Sequence, residues 1–502
     1  MDNHEPGRSQ RLSATDAAFL YLERKEIPLH IACVSVFDAE IPFDEFVANI
    51  ASKLHLVPRY RQIVVTPQYN LGYPSWEADP NFDITRHIFR ARIDPPGGEA
   101  ELEALAGRIL SQLMDRTKPL WEIHVVEGCA GGQGALIVKV HHSLADGVSG
   151  ASLLKIMLDP TPEGSRAMGR PDARQSINHR KTPAPGPIAA GQSLVDALAS
   201  AVHGSLENML AVETGLLGLT QWLLADRTQN GLDDLIGLAP ELAAPIQRLP
   251  FNRLCDGERH FCWAGFDFAD VKRIREAAGG KVNDVILTVV TRALASYARF
   301  HGQSVHKRLL RVVCPVSTRT NGQTESLGNS ITFLPVVLPM DIRNPIEMLQ
   351  AISTRTDVMK RARMAELVTM AASWLGSTPP PLQAAFWGGL PFLTLPVSLF
   401  NVICTNVPGS PVPLYTLGRR MLATYPQVPT GWELGIGIAA STYDGKLFFG
   451  LNSDTHAAPD ANRLRDFIGV AFEDLCRAAG LRKAPPRSTR RRKAPVEALS
   501  VA

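Results

Sequence analysis

The sequence predicts an α/β protein built from two large blocks. The chain has 502 residues, enough for two to four domains of ordinary size. Helix and strand patterns alternate on both sides of a segment at 160–192. This segment is rich in Pro, Gly, Arg and Ser, and its apolar residues do not recur at a regular spacing. Hydrophobic residues make up 45% and charged residues 20% of the chain, which excludes a disordered or collagen-like protein.

The first block is predicted to contain two helices and three strands. The helices are Leu12–Glu23, with Ser13 or Thr15 as its cap, and Glu99–Met114, whose large apolar residues fall on one face. The predicted strands are Ile31–Phe37, Trp121–Glu127 and Ala135–His142. Glycines between the last two strands predict a hairpin turn and match neither common phosphate-loop pattern.

The second block follows a predicted helical segment at Ser193–Leu224. Its predicted helices are Phe268–Ala278, Lys281–Phe300, Pro345–Met364 and Arg463–Ala479. Its predicted strands are Leu309–Pro315, Thr332–Leu338, Val402–Asn406, Leu434–Thr442 and Lys446–Ser453. The resulting division is 1–160 for the N-terminal half, 161–192 for a linker, 193–480 for a helical crossover and the C-terminal half, and 481–502 for a tail.

The charge is unevenly distributed along the chain. The net charge is +3, but the tail Leu481–Ala502 carries seven basic residues and one acid, a net charge of +6. The near-zero net charge of the whole chain excludes a nucleic-acid binder driven by bulk charge. The tail is predicted to be disordered, either as a solubilising segment or as a contact for anionic lipid or nucleic acid. Seven cysteines without a C-x-x-C pair, and a polar N-terminus, predict a cytoplasmic protein with reduced thiols and no metal finger.

A long stretch without charge, Leu367–Leu417, lies in the second block. Prolines interrupt it, among them Pro379, Pro391 and Pro396, so a membrane-spanning helix does not fit. Two interpretations stay open, namely buried core at a domain junction and an apolar surface that meets lipid.

The sequence HHSLADG, residues 141–147, carries the clearest chemical signal. It ends an apolar strand, so alternation places His142 on the face of Leu136, Val138 and Val140, and His141 on the opposite face. A histidine on an apolar face is partly desolvated, which favours its neutral, proton-accepting form. Two adjacent histidines do not converge easily on one ion, so no metal site is expected. Asp146 precedes a helical run, where it would act as the helix N-cap.

The motif resembles the signature of CoA-dependent acyltransferases, which include chloramphenicol acetyltransferase and the condensation domains of peptide synthetases. Further stretches resemble one branch, the bacterial wax ester synthase/diacylglycerol acyltransferases, in family order over nearly the whole chain. These stretches are LSATDAAFLYLE from Leu12, VPRYRQ from Val57, FDITRH from Phe82, PLWE from Pro119, VNDVIL from Val282, PVSTR from Pro315, LGNS from Leu327 and NVPG from Asn406.

The resemblance implies a fold of two chloramphenicol-acetyltransferase-like domains, each with a mixed sheet, and an active-site tunnel between them. It implies that His142 is the general base and that His141 and Gly147 support the motif. Asp146 matches a residue regarded as structural and often paired with an arginine, for which Arg319 and Arg116 are candidates. Asn283 matches an active-site motif, where it would either donate to an oxyanion or cap a helix.

The resemblance also implies the reaction. The hydroxyl of an acceptor attacks the thioester of acyl-CoA directly, His142 takes its proton, and diacylglycerol is converted to triacylglycerol. Acyl-CoA is then a co-substrate, no cofactor is needed, and no nucleic acid is involved. The enzyme is expected in the cytoplasm, with peripheral contact at the inner face of the membrane or at lipid inclusions.

Three other functions stay open. One is a wax ester synthase or another alcohol O-acyltransferase on the same fold, which would take a long-chain alcohol. Another is a catalytically silent relative that binds lipid or acyl-CoA. The third is a membrane-surface scaffold that uses the charge-free stretch and the basic tail. The sequence leaves the acyl length, the preferred acceptor and the oligomeric state undetermined.

Overall fold

A computed structural model describes residues 10–144, 156–164, 244–317, 331–362, 378–390 and 400–482, with a few single positions between these ranges. The predicted helix Ser193–Leu224, nearly all of the linker, the tail beyond Arg482 and parts of the charge-free stretch lie outside the described residues. Asp146, Gly147 and Arg319 also lie outside them.

The secondary structure is mixed in both halves. From the N-terminus to the motif, the elements are β1 (Gln10–Arg11), α1 (Ala14–Leu22), β2 (His30–Phe37), α2 (Phe43–Lys53), β3 (Gln62–Val65), β4 (Ser75–Ala78), β5 (Ile88–Arg92), α3 (Glu99–Ser111), β6 (Trp121–Glu127) and β7 (Gly134–His141). Beyond the linker they are β8 (Arg259–Asp267), α4 (Phe268–Ala278), α5 (Val282–Phe300), β9 (Leu309–Ser317), β10 (Ile331–Pro339), α6 (Pro345–Arg361), α7 (Pro380–Gly389), β11 (Val402–Val407), β12 (Tyr415–Thr416), β13 (Arg419–Gln427), β14 (Ile436–Tyr443), β15 (Lys446–Asp454) and α8 (Ala461–Ala478).

These elements confirm the predicted helices and strands that fall within the described residues. The cap of α1 is Ser13 and not Thr15, because the Ser13 hydroxyl accepts a hydrogen bond from the backbone N–H of Asp16. Strand β7 ends at His141, one residue earlier than predicted, and His142 begins the turn that follows.

Two six-stranded sheets form the centres of the two halves. The C-terminal sheet has the order β10-β9-β11-β14-β15-β8, and the N-terminal sheet has the order β12-β13-β2-β7-β6-β5. Both contain parallel and antiparallel pairs, which confirms the predicted mixed sheets.

One strand pair connects the two halves. Strands β12 and β13 follow β11 along the chain, yet β13 pairs antiparallel with β2 in the N-terminal sheet. Neither β12 nor β13 was predicted from the sequence. A segment from the second half therefore extends the first sheet next to the strand pair that carries the motif.

The two faces of β7 contact different cores. Leu136, Val138 and Val140 belong to the main core of the N-terminal half. Ile137 belongs to a second core that also contains Phe261 of β8, so this face packs at the junction of the halves. The predicted alternation along β7 is confirmed, and every residue of the strand is buried.

Candidate active site

His142 lies at the end of β7 and is 8% exposed. Its backbone N–H donates to the carbonyl of Leu29, 2.9 Å away, just before β2 begins. Its imidazole ring stacks on the ring of Phe19, with 4.2 Å between the ring centres and 15° between the planes. Helix α1 therefore holds the ring of His142, and the segment between α1 and β2 holds its backbone.

His141 points to other partners and is fully buried. Its Nδ1 lies 2.7 Å from the hydroxyl of Ser143, and its Nε2 lies 3.3 Å from a carboxylate oxygen of Glu23. The two histidines of the motif thus have separate surroundings. His142 faces an aromatic ring, whereas His141 belongs to a buried network of charged and polar groups.

Glu23 is the centre of that network. Its carboxylate accepts from Arg116 at 3.0 Å and from the backbone N–H of Leu29 at 3.2 Å, besides its contact with His141. Burial raises the pKa of Glu23, but the hydrogen bond and charge of His141 and the charge of Arg116 outweigh burial and lower it to about 2. The carboxylate is therefore ionised throughout the neutral pH range.

Arg116 was one of two candidate partners for Asp146. In the structure its guanidinium donates to Glu23 and, at 2.8 Å, to the carbonyl of Leu20. The pairing of Asp146 with Arg319 and the N-cap role of Asp146 stay predictions, because both residues lie outside the described part of the chain.

A buried lysine lies behind the motif on the face of His141. Lys139 donates to the carbonyls of Ile109 and Gln112 at the C-terminal end of α3, over 3.1 and 2.6 Å. Burial lowers the pKa of Lys139, while the charge of Glu122 opposes this shift. Lys139 thus donates to two carbonyls at the end of α3, which is a structural role.

Asn283 lies in the first turn of α5 and is half-buried. The N-cap of that helix is Lys281, whose backbone N–H donates to the carboxylate of Asp284 at 2.8 Å. Asp284 also accepts from the hydroxyl of Thr356 of α6 at 2.8 Å. The capping interaction thus belongs to Asp284 and not to Asn283, and the oxyanion role of Asn283 stays a prediction.

Several of the other matching stretches meet in the N-terminal core. The indole N–H of Trp121, from PLWE, donates to the carbonyl of Tyr60, from VPRYRQ, at 2.8 Å. His87, from FDITRH, stacks on Trp121 with 4.5 Å between ring centres and lies 2.9 Å from its carbonyl. These aromatic contacts support the sheet that carries β7.

The junction of the halves is close to the same segment between α1 and β2. Arg259, the first residue of β8, is buried and pairs with Asp454 at 2.8 Å. Its guanidinium also donates to the carbonyl of Glu26 at 2.9 Å. Gly257 packs so closely on the carbonyl of Lys25 that a Cβ there would lie 2.2 Å from it. The second half therefore packs against and stabilises the segment between α1 and β2, which holds the backbone of His142.

A cavity of about 690 Å³ lies between the halves at the other end of β7. Its lining includes Val36 and Gln133 of the first half and Trp263 of the second. Seven residues of strand, about 23 Å, separate that end from His141. The cavity is therefore distinct from the candidate active site, and the tunnel implied by the resemblance stays a prediction.

Three partners of the motif were not predicted from the sequence, namely Phe19, Glu23 and the carbonyl of Leu29. Phe19 and Glu23 were present in the stretch LSATDAAFLYLE, and their spacing of four residues suits one face at the end of a helix. Nothing in the local pattern pairs that face with a motif more than a hundred residues away.

Fold and motif together define a two-domain acyltransferase. The model of the wax ester synthase/diacylglycerol acyltransferase catalytic domain matches residues 12–286, and that of the C-terminal domain matches residues 327–476. The chain therefore belongs to the wax ester synthase/diacylglycerol acyltransferase family and is an O-acyltransferase.

Named relatives agree with this membership. The chain is 28% identical over 484 residues to "Probable diacyglycerol O-acyltransferase tgs1" of Mycobacterium tuberculosis H37Rv, covering 96% of this chain and 98% of that one. It is 29% identical over 476 residues to "Probable diacyglycerol O-acyltransferase tgs2" of the CDC 1551 strain, covering 93% and 98%.

Solved structures show the same fold. The wax ester synthase/diacylglycerol acyltransferase from Marinobacter aquaeolei VT8 superposes with a TM-score of 0.62 at 24% identity, covering 94% of this chain and all of that one. The first condensation domain of the calcium-dependent antibiotic synthetase gives a TM-score of 0.58 at 13% identity, covering 95% and 97%. The predicted kinship with condensation domains is thereby confirmed for the fold.

Proposed function

We propose that this chain transfers the acyl group of acyl-CoA to the free hydroxyl of diacylglycerol, with His142 as the general base. The observation that carries the proposal is the placement of His142. It follows a buried strand, its ring lies against Phe19, and its neighbour His141 is engaged by Glu23. Of the two histidines of the motif, His142 is thus the one that we assign to proton transfer.

The reaction balances without a covalent enzyme intermediate. The imidazole of His142 accepts the proton of the acceptor hydroxyl as the oxygen attacks the thioester carbonyl. A tetrahedral oxyanion forms, the C–S bond breaks, and the thiolate of CoA leaves and takes the proton from the imidazolium. The products are an ester and free CoA. Because the thioester is already activated, acyl-CoA suffices as co-substrate without a resident cofactor.

The choice of diacylglycerol as acceptor is supported by the names of the mycobacterial relatives. A long-chain alcohol is the second candidate acceptor, since the family and its Marinobacter member are named for wax ester synthesis as well. Both acceptors carry a free hydroxyl and long apolar chains, so the same base serves both.

We propose further that helix α7 contacts the lipid surface in which such acceptors reside. The helix carries no charged residue, and Leu382 and Phe386, one turn apart, are 63% and 46% exposed. Helix α7 packs against α1, and Arg24 donates to the carbonyl of Gly388 at 2.8 Å. The apolar surface therefore adjoins the helix that carries Phe19. Among the residues that the structure describes, no helix is long and apolar enough to cross a membrane.

The test uses purified protein and radiolabelled acyl-CoA with three separate samples, namely diacylglycerol, a long-chain alcohol and no acceptor. Chromatography should show labelled triacylglycerol in the first sample at a higher rate than ester in the second. His142→Ala should lower kcat by about 10²–10⁴-fold, the range of a positioned general base. His55→Ala, at an exposed histidine of the same half, is the matched control and should leave kcat unchanged.

Three outcomes would contradict the proposal. Faster ester formation with the alcohol would identify a wax ester synthase. Binding of acyl-CoA without transfer to either acceptor would identify a silent lipid-binding relative. Full activity of a folded His142→Ala protein would remove His142 as the base.

A further inference from the structure

We propose that Phe19 is a positioning residue that holds the imidazole of His142 in the orientation required for proton transfer. The inference rests on the proposed role of His142 as general base. It adds a residue that contacts the base and sets its angle.

The stack is close and nearly parallel. The ring centres of Phe19 and His142 lie 4.2 Å apart and the planes differ by 15°. Two other phenylalanine–histidine stacks in this half are wider, at 5.3 Å for Phe82 with His87 and 5.2 Å for Phe89 with His124. The contact at His142 is therefore the tightest of the three.

The segment that carries Phe19 is itself fixed. The carbonyl of Phe19 accepts from the backbone N–H of Glu23 at 3.1 Å, and the carboxylate of Glu23 accepts from the N–H of Leu29. The carbonyl of Leu29 accepts from His142. These hydrogen bonds connect residue 19, whose ring stacks on His142, to the backbone of His142. Residues 19–29 therefore fix both the ring and the backbone of His142.

The orientation matters because the lone pair of a neutral imidazole lies in the plane of its ring. A ring that turns about its Cβ–Cγ bond carries the basic nitrogen away from the acceptor hydroxyl, and a misplacement of about 1 Å can cost about 10²-fold in rate. The face of Phe19 contacts a nearly parallel imidazole, and a rotation of that imidazole out of the plane would lose the stacked contact. A leucine fills similar space but has no flat face, so it would leave the ring angle less defined.

The experiment measures kcat and the KM for acyl-CoA in Phe19→Leu and Phe19→Tyr. We expect Phe19→Leu to lower kcat about 10-fold or more with an unchanged KM, because the acyl-CoA contacts are not altered. Phe19→Tyr retains the flat ring and should recover most of the kcat that the leucine variant loses. Phe89→Leu is the matched control, since it removes a stack on a histidine outside the motif and should leave kcat unchanged.

A double variant separates positioning from simple structural damage. In a His142→Ala background, Phe19→Leu should cause no further loss of the residual kcat, because its effect acts through the imidazole. If Phe19→Leu does not fold, Phe19→Met replaces it under the same criteria, since methionine is also apolar and not flat.

The inference is overturned if the folded leucine or methionine variant keeps the kcat of the wild type. It is also overturned if only KM rises, or if the variant lowers the residual kcat of His142→Ala by the same factor as in the wild type. Full activity of His142→Ala alone would instead refute the proposed base, so the two failures are distinguishable.

Discussion

The carboxylate of Glu23 lies 3.3 Å from Nε2 of His141, and the two side chains are 2% and 0% exposed. The contact with Glu23 engages the imidazole of His141, the first histidine of the motif. Because Glu23 also binds Leu29, whose carbonyl holds the backbone of His142, the pair fixes the turn in which the second histidine lies. The motif thus divides into a histidine that supports the structure and a histidine that we assign to the chemistry.

We expect His141→Ala to reduce stability more than catalysis. Its removal takes one hydrogen-bonded partner from the buried carboxylate of Glu23, which should lower the Tm. The kcat should fall by less than in His142→Ala. Thermal melting and steady-state kinetics on both variants test this expectation. If His141→Ala had an unchanged Tm and the larger loss of kcat, the roles of the two histidines would be reversed.

We expect Glu23→Gln to lower the free energy of unfolding by a few kcal/mol. Breaking a buried charge pair costs about 3–5 kcal/mol, and the partial exposure of Arg116 reduces this amount. The pKa of Glu23 is about 2 in the folded protein, below its ordinary value of 4.5, so its contribution is present above pH 4.5 and is lost as the pH falls towards 2. The free energy of unfolding, measured with denaturant at pH 7 and pH 4, should therefore differ less between the two pH values in Glu23→Gln than in the wild type.

The matched control for that measurement is Glu45→Gln, at an exposed position of α2. It should leave both the stability and its pH dependence unchanged. Equal stabilities of Glu23→Gln and the wild type at pH 7 would contradict a stabilising role of the Glu23 network.

A second carboxylate should produce the opposite pH dependence. Glu103 of α3 is 5% exposed at the junction with β8, where it accepts from the N–H of Trp263 and lies 3.5 Å from Arg465. Burial raises the pKa of Glu103 to about 7, although the charge of Arg465 opposes the shift. Between pH 4.5 and 7 the folded protein retains a proton that the unfolded chain releases, so this group lowers stability as the pH rises through that range.

Glu103→Gln should remove that pH dependence and stabilise the protein near pH 8, since each unit of pKa shift corresponds to about 1.4 kcal/mol. The amide oxygen introduced by this substitution would still accept from the N–H of Trp263. Denaturant unfolding between pH 5 and 8 measures the effect. An unaltered slope in the variant would show that Glu103 titrates normally.

We expect Phe386→Asp to separate lipid contact from chemistry. Phe386 is 46% exposed, so a carboxylate there should leave the protein folded, whereas a charge in a packed core would cost several kcal/mol. Activity on diacylglycerol in vesicles should fall, and activity on a short soluble alcohol should persist. Val470→Asp, at a valine of α8 that is 54% exposed, is the matched control. Equal loss on both acceptors would place α7 at the chemical site instead.

The sequence was sufficient for features that depend on local pattern. Alternation along β7 correctly assigned Leu136 and Val138 to one face and Ile137 to the other, and in the structure the two faces pack in different cores. Ser13 lies where a capping residue is expected, and α4 spans the residues that were predicted. Short motifs in the right order also identified the family. These features follow from side-chain periodicity and residue type within a few turns or strands.

Only the tertiary structure decided which distant segments meet at the motif. Strand β13 pairs with β2 although hundreds of residues separate them, and the sequence of neither strand indicates which strand it pairs with. Likewise Phe19 contacts His142, and Glu23 contacts His141, across more than a hundred residues. The physical reason is that a strand or an apolar face can pair with any partner of suitable shape and charge. The whole fold therefore selects the partner, whereas the local residue pattern determines whether a segment forms a strand or a helix.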